Sequence, residues 1–156
     1  MGPLIHARRL AAITELVDEA RAAGATIAAG GRRLERPGYF FAPTVLADVP
    51  PAARIMNEEP FGPVALINPY ATLEAAIAEA NRLPYGLAAF AFADSSRAIR
   101  RMGESLEAGM VGINTYAISV PESPFGGIKE SGHGSEEGIE GLEACLVTRF
   151  ISEADL

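Results

Sequence analysis

The sequence contains a single cysteine, Cys145, so no disulfide can form within the chain. It has no excess of positive charge. Its net charge is -7, which argues against a basic surface that would hold nucleic acid or an anionic membrane. No apolar run reaches the roughly 18 residues that a membrane span needs, and the N-terminal residues lack the layout of a signal peptide. These absences predict a protein of a reducing, cytoplasmic compartment that binds neither nucleic acid nor membrane.

The first part of the chain predicts one long helix followed by short extended pieces. The 156 residues are enough for one domain with a real core. A helix is predicted over residues 7–23, ended by Gly24. Its apolar stripe consists of Leu10, Ile13, Leu16, Val17 and Ala20. Extended pieces at residues 25–29, 39–41 and 44–49 are predicted to pair as an antiparallel addition to the main sheet.

From residue 64 onward, strands and helices alternate, which predicts an α/β fold. Strands are predicted over residues 64–68, 87–93 and 110–114, with helices capped by Thr72 and by Asp94 or Ser95 between them. Short connections imply parallel strands with right-handed crossovers. Residues 87–93 are apolar on both faces, as in a central strand. A Gly/Pro/Ser-rich loop over residues 115–134, a short helix over 136–144 and a last strand over 146–151 complete the chain.

The stretch that organises the rest is a loop with two adjacent carboxylates, an aromatic ring and a Gly-Pro turn. It reads Asn57-Glu58-Glu59-Pro60-Phe61-Gly62-Pro63-Val64. The two prolines exclude a helix, so the carboxylates lie on a rigid loop at the end of a strand. A carboxylate there can accept both hydroxyls of a ribose, and the neighbouring ring can pack on a flat heterocycle. On the residues alone, a solvated turn with a packed phenylalanine remains the alternative.

This stretch resembles the Glu-Glu-x-Phe-Gly-Pro-Val signature of the NAD(P)-dependent aldehyde dehydrogenases. A second signature of that family is matched by Pro124-Phe125-Gly126-Gly127-Ile128-Lys129-Glu130-Ser131-Gly132. The resemblance covers nearly the whole chain, but only the C-terminal third of the family's usual length. It is closest to the succinate-semialdehyde dehydrogenases.

The resemblance implies a fold and a division of the chain. Residues 1–143 would form the C-terminal part of the catalytic domain, with its parallel three-layer α/β sheet. Residues 144–156 would form an oligomerisation strand and tail, so a homo-oligomer is expected. A family member oxidises a small aldehyde to the carboxylic acid with NAD or NADP, through a cysteine thioester.

The resemblance also assigns individual residues. Glu59 matches the carboxylate that holds the nicotinamide ribose, and Phe61 matches the aromatic residue beside the nicotinamide. Ser119 matches a serine that binds the distal carboxylate of succinate semialdehyde, with an ordinary loop hydroxyl as the alternative. Phe125 is a candidate substrate-binding residue, because its loop shapes the substrate entrance.

Other candidates are interpreted as structural. Cys145 follows a helix, with no base or helix N-terminus beside it, and is predicted to be a buried or edge thiol. The glycines between residues 126 and 138 have the wrong spacing for a phosphate loop and are interpreted as turn residues with positive φ. His6 and His133 are too isolated to form a zinc site, and His133 is predicted to be exposed.

Two classes of function therefore remain open. In the family the cysteine nucleophile, the general base and the dinucleotide-binding domain lie upstream of the matched region. The chain is then part of an aldehyde dehydrogenase and inactive alone, whether as a natural truncation, a gene fragment or a piece of a longer enzyme. The alternative is a free-standing, non-catalytic α/β module used for assembly or binding.

Overall fold

The structure, a computed structural model, describes residues 1–155 and divides into two compact units, Met1–Tyr70 and Ala71–Leu156. This division is one of packing. The functional division predicted at residues 143 and 144 stays a prediction. None of the helices within residues 1–155 combines the length and the apolar character needed to cross a bilayer.

The first unit is built on α1 (Ala7–Ala22), which the apolar periodicity predicts almost to the residue. The helix begins after His6, whose Nδ1 accepts a hydrogen bond from the Arg9 backbone N–H at 3.0 Å. It ends before Gly24, whose φ of +109° suits glycine. The whole predicted stripe is buried, which confirms the helix and its inward face: Leu10, Ile13, Leu16, Val17 and Ala20.

The sheet of the first unit has three strands in the order β1 (Thr26–Ala29), β2 (Thr44–Ala47) and β3 (Val64–Ile67). The predicted antiparallel pairing holds for β1 and β2, whereas β2 and β3 run parallel. Beyond this ladder, the Asn68 side chain accepts from Val49 N–H at 2.7 Å and donates to Val49 O at 3.0 Å. The Asn68 side-chain amide thus continues the hydrogen bonding between the β2 and β3 segments beyond the ends of the two strands.

The second unit contains α2 (Leu73–Ala80), β4 (Tyr85–Gly86), β5 (Ala88–Ala91), α3 (Ser96–Ser105), β6 (Met110–Ile113), β7 (Ile128–Lys129) and α4 (Gly138–Glu143). Thr72 caps α2 and Ser95 caps α3, as the sequence predicts. Strands β5 and β6 are parallel, and β4 pairs antiparallel with β7. A small core of Ile77, Ala91 and Met102 lies between the helices and β5.

Two predictions about strands are corrected. Within residues 1–155, β5 pairs only with β6, and Phe90 and Phe92 are 44% and 54% exposed, so β5 is not buried on both faces. Residues 146–151 form no strand, because none of their backbone groups has a strand partner among the described residues. The predicted tail reaches Leu156, which lies outside the described residues.

Candidate functional site

The loop that carries the paired carboxylates is anchored at both of its ends. A 3-10 turn, Arg54–Met56, leads into it, and the Asn57 side-chain amide donates to Pro51 O at 2.9 Å and to Ala53 O at 2.8 Å. At the other end, Thr44 N–H of β2 donates to Pro63 O at 2.8 Å. Residues 57–63 are therefore a fixed connection into β3, as their two prolines predict.

Gly62 places this loop directly on α1. A Cβ atom at position 62 would lie 2.6 Å from Ile13 Cδ1, and the Ile13 side chain is fully buried. Only glycine allows the backbone to approach the helix this closely. Ile13 is therefore a core residue on which the loop also packs.

The two adjacent carboxylates have different surroundings. Glu58 accepts from Arg54 Nε at 2.7 Å and from its terminal nitrogen at 3.1 Å, and this hydrogen bonding lowers the pKa of Glu58. Glu59 is exposed, and its carboxylate has no hydrogen-bond or ion-pair partner within residues 1–155. The structure therefore leaves one of the two carboxylates available to a ligand.

Phe61 lies two residues after Glu59 on the same loop. Its backbone N–H donates to Glu59 O at 3.0 Å, and the residue is 64% exposed. A cavity of about 610 Å³ opens next to the ring, lined also by Arg9 and the N-terminal residues. A flat apolar face and an unpaired acceptor are thus held on one short, rigid loop.

The second unit carries the other two predicted site residues, Ser119 and Phe125. Ser119 is exposed, and its hydroxyl has no partner within the part of the chain that the structure describes. Phe125 is half-buried, and its backbone exchanges two hydrogen bonds of 2.7 Å with Glu136. The Ser119 hydroxyl is therefore exposed and unpaired, although the backbone on either side of it is hydrogen-bonded at Ile118 and Val120, and the segment that begins at Phe125 is paired with Glu136.

The anchor of that loop is not predicted by the sequence. Lys129 donates to the carbonyls of Asn81 at 3.1 Å and Leu83 at 3.3 Å and forms an ion pair with Glu107. Ser131 Oγ accepts from Gly86 N–H at 2.9 Å, next to the β4–β7 pairing. These contacts join positions more than 20 residues apart, and two-residue strands leave no periodicity in a sequence.

The interpretation of the loop glycines is partly wrong. Gly134 and Gly138 have positive φ, but Gly126 and Gly127 do not. A Cβ at Gly126 would lie 2.5 Å from Gly134 O, and one at Gly127 would lie 2.8 Å from the Ser131 Cβ. Close backbone packing, rather than an unusual turn, explains these two glycines.

Cys145 is exposed, so of the predicted buried or edge thiol the buried interpretation is wrong. It lies just after the C-terminal end of α4, where its N–H donates to Leu142 O at 3.0 Å. His133 is exposed, as predicted. Among residues 1–155, no three histidine, cysteine or acidic side chains come close enough together to hold a metal ion.

An α/β chain with these two motif loops belongs to the aldehyde dehydrogenase family. The family model described as "Aldehyde dehydrogenase family" matches residues 1–151. This confirms the family assignment made from the two signatures.

Several relatives with established names cover almost the whole chain. It is 52% identical over 151 residues to the 4-(hydroxymethyl)benzenesulfonate dehydrogenase of Comamonas testosteroni, covering 97% of this chain and 31% of that protein. It is 44% identical over 155 residues to the succinate-semialdehyde dehydrogenase of Paenarthrobacter nicotinovorans, covering 99% of this chain and 34% of that protein. The chain thus spans about a third of the length of the relatives that it matches.

Solved structures confirm the α/β fold class. The succinate-semialdehyde dehydrogenase of Burkholderia pseudomallei superposes with a TM-score of 0.87 at 40% identity, covering 92% of this chain and 30% of that one. The lactaldehyde dehydrogenase of Escherichia coli gives a TM-score of 0.88 at 35% identity, with the same coverage of both chains.

Proposed function

We propose that this chain forms the C-terminal third of an aldehyde dehydrogenase, which oxidises an aldehyde to its carboxylic acid with NAD or NADP. The observation that carries the proposal is the loop of residues 57–63, where an unpaired carboxylate and an exposed aromatic ring lie two residues apart. Both features suit the nicotinamide end of a dinucleotide. Glu59 would accept the ribose hydroxyls, and Phe61 would pack beside the nicotinamide ring.

In this proposal the chain's own residues bind and orient, and they perform no covalent step. The bound cofactor supplies the acceptor for the hydride of the aldehyde. The residues of the 57–63 loop hold the ribose in a fixed pose, because Gly62 and Pro63 tie the loop to α1 and β2. A fixed pose contributes to the rate, since the reacting atoms must meet within a narrow range of distance and angle.

A hybrid enzyme tests this proposal. It consists of the upstream part of the E. coli succinate-semialdehyde dehydrogenase followed by residues 1–151 of this chain, which is 42% identical to the matching segment. The hybrid is expected to form NAD(P)H from succinate semialdehyde, whereas the 156-residue chain alone forms none. Steady NADH formation by the chain alone, lost in Cys145→Ala, would contradict the division of roles proposed here.

The substrate class proposed is an aldehyde with an anionic group at its far end. Succinate semialdehyde carries a distal carboxylate, and the 52% identical relative is named for an alcohol, a hydroxymethyl-substituted benzene ring with a sulfonate at its far end. The exposed, unpaired hydroxyl of Ser119 is a suitable donor to either anion. This common feature supports a role for Ser119 in recognising the distal group.

Ser119→Ala in the hybrid is expected to lower kcat/KM for succinate semialdehyde about tenfold or more. The kcat/KM for butanal, which has no distal charge, should stay almost unchanged. A hydrogen bond to a charged group contributes about 1.5–3 kcal/mol. Ser123→Ala is the matched control, because that hydroxyl lies in the same loop, 3.5 Å from Val120 O. Equal losses for the two aldehydes would show that Ser119 is an ordinary loop residue.

We also propose that residues 144–156 are an assembly segment. Four apolar side chains in this segment are strongly exposed: Leu146 at 64%, Val147 at 95%, Phe150 at 89% and Ile151 at 75%. Their backbone has no strand partner among the described residues, and an unpaired apolar edge favours association with another chain. This surface is also the feature that favours the alternative of a non-catalytic assembly module.

The 156-residue chain is therefore expected to sediment as a dimer or larger species at micromolar concentration. Val147→Asp combined with Phe150→Asp should shift it toward monomer, because charges in the segment oppose its burial. Ile5→Asp is the control, since Ile5 is 82% exposed but lies in the other unit. A wild-type monomer that is unaffected by deletion of residues 145–156 would argue against an assembly role.

A further inference from the structure

Arg9 differs from every other arginine of the chain in its burial. The sequence has twelve arginines, and eleven of them are exposed, whereas Arg9 is half-buried in the first turn of α1. This burial is that of the whole residue, and the aliphatic stem of an arginine can supply it while the guanidinium stays hydrated. The usual partner of a guanidinium held against a protein surface is a carboxylate.

No carboxylate fills this role among residues 1–155. Arg21, Arg54 and Arg82 each form an ion pair with a nearby acidic residue, but Arg9 forms none. Its guanidinium carbon lies 5.5 Å from the centroid of the Phe61 ring, and this cation–π contact leaves its N–H donors without a hydrogen-bond partner among the described residues. The first turn of a helix also disfavours a positive side chain, so helix stability does not explain Arg9.

The unpaired guanidinium lines the same cavity of about 610 Å³ as the Phe61 ring. Its backbone N–H is taken by His6 Nδ1 at 3.0 Å, which fixes the turn from which the side chain extends. The cavity is therefore lined by a planar ring and by an arginine that lacks a counter-charge, and the free Glu59 carboxylate lies on the same loop as the ring but outside the cavity lining. The ring and the carboxylate suit a nicotinamide riboside, and the cation suits a phosphate attached to it.

We propose that Arg9 binds the phosphate that follows the nicotinamide ribose of the cofactor. The inference rests on the proposed function, because it requires a nicotinamide nucleotide at the 57–63 loop. It adds a residue that the sequence motifs do not indicate, since Arg9 and Phe61 lie 52 positions apart and meet only through the packing of the loop on α1. Without the phosphate, the Arg9 side chain rests against the Phe61 ring.

Two ligands that differ by one phosphate show whether Arg9 binds a phosphate or only packs against the Phe61 ring. Nicotinamide riboside has no phosphate, and nicotinamide mononucleotide has one. Chemical-shift titrations of the ¹⁵N-labelled 156-residue chain, followed at residues 57–64, give the affinity for each. The wild-type chain should bind the mononucleotide about five- to tenfold more tightly than the riboside at low salt, because a charge-assisted pair at a partly exposed site is strengthened at low ionic strength.

Arg9→Leu should reduce this affinity ratio to about one, and Arg9→Lys should keep part of it, because lysine retains the charge without the planar fork. Arg8→Leu is the matched control: Arg8 is exposed in the same turn, and its loss should leave the ratio intact. Glu59→Gln should weaken both ligands alike and also leave the ratio intact. Dispersed amide resonances in each variant establish that it is folded.

The outcomes distinguish the two proposals. If neither ligand shifts the resonances of residues 57–64, the cofactor role of the loop is wrong, and the role of Arg9 falls with it. If both ligands bind but the ratio is about one in the wild-type chain, or survives in Arg9→Leu, only the role of Arg9 is wrong. A ratio that falls in Arg9→Leu and persists in Arg8→Leu and Glu59→Gln supports both.

Discussion

Ile13→Ala is expected to lower the free energy of unfolding of the Met1–Tyr70 unit by about 3 kcal/mol. Ile13 is 0% exposed and belongs to the main core cluster of α1 and its surroundings. The substitution leaves a cavity at the point where Gly62 lies on the helix, so the surrounding backbone cannot simply collapse onto it. The change should therefore reduce stability and also loosen the 57–63 loop.

Urea unfolding followed by circular dichroism measures this effect, and amide exchange at residues 57–63 reports the loop. Ile5→Ala is the control, because Ile5 is 82% exposed and its truncation should change stability by less than about 0.5 kcal/mol. A loss below about 1 kcal/mol in Ile13→Ala would mean that α1 does not hold the loop in the way the structure indicates.

Glu59→Gln in the hybrid enzyme should slow hydride transfer about tenfold or more while the protein stays folded. The glutamine keeps the shape of the side chain but replaces a charged acceptor with a neutral one, and a tenfold change corresponds to about 1.4 kcal/mol. Single-turnover measurement of cofactor reduction isolates this step from product release.

Glu58→Gln is the paired control for that experiment, because the neighbouring carboxylate is occupied by Arg54. Its removal should have a smaller effect on hydride transfer. The pairing of Glu58 with Arg54 depends on pH. Arg54 lowers the pKa of Glu58, so the Arg54–Glu58 pair is intact above the ordinary carboxyl pKa and is lost as the pH falls through the lowered value. If Glu58→Gln and Glu59→Gln slow hydride transfer equally, the Glu59 carboxylate has no role in that step that Glu58 lacks.

The sequence predicts those features of the fold that depend on local spacing. The stripe of α1, the Thr72 and Ser95 caps and the four-residue strands β1, β2, β3, β5 and β6 are encoded within a few neighbouring positions. The 57–63 loop is predictable as a rigid turn because two prolines restrict it. The inequality of its carboxylates depends on the Arg54 side chain, a contact at helical spacing that a loop prediction does not consider.

Features that depend on long-range packing are missed or wrong. The β4–β7 pair and the hydrogen bonds from Lys129 to the carbonyls of Asn81 and Leu83 join segments that no short motif connects. The strand predicted over residues 146–151 has the right residue types, but β-propensity measures fit to neighbouring strands, and no strand within residues 1–155 pairs with it. The contact of Arg9 with the Phe61 ring lacks a sequence signal, because the two residues lie 52 positions apart and meet only in the packed structure.

We propose that the Glu59 carboxylate holds the nicotinamide ribose, and a double-mutant cycle measures this contact. The affinities of the wild-type hybrid and of its Glu59→Gln variant are measured for NAD⁺ and for the analogue without the 2′-hydroxyl of the nicotinamide ribose. If the contact exists, removing the hydroxyl should weaken binding by about tenfold in the wild type and by much less in the variant. Equal losses in the two proteins would show that Glu59 does not contact the ribose.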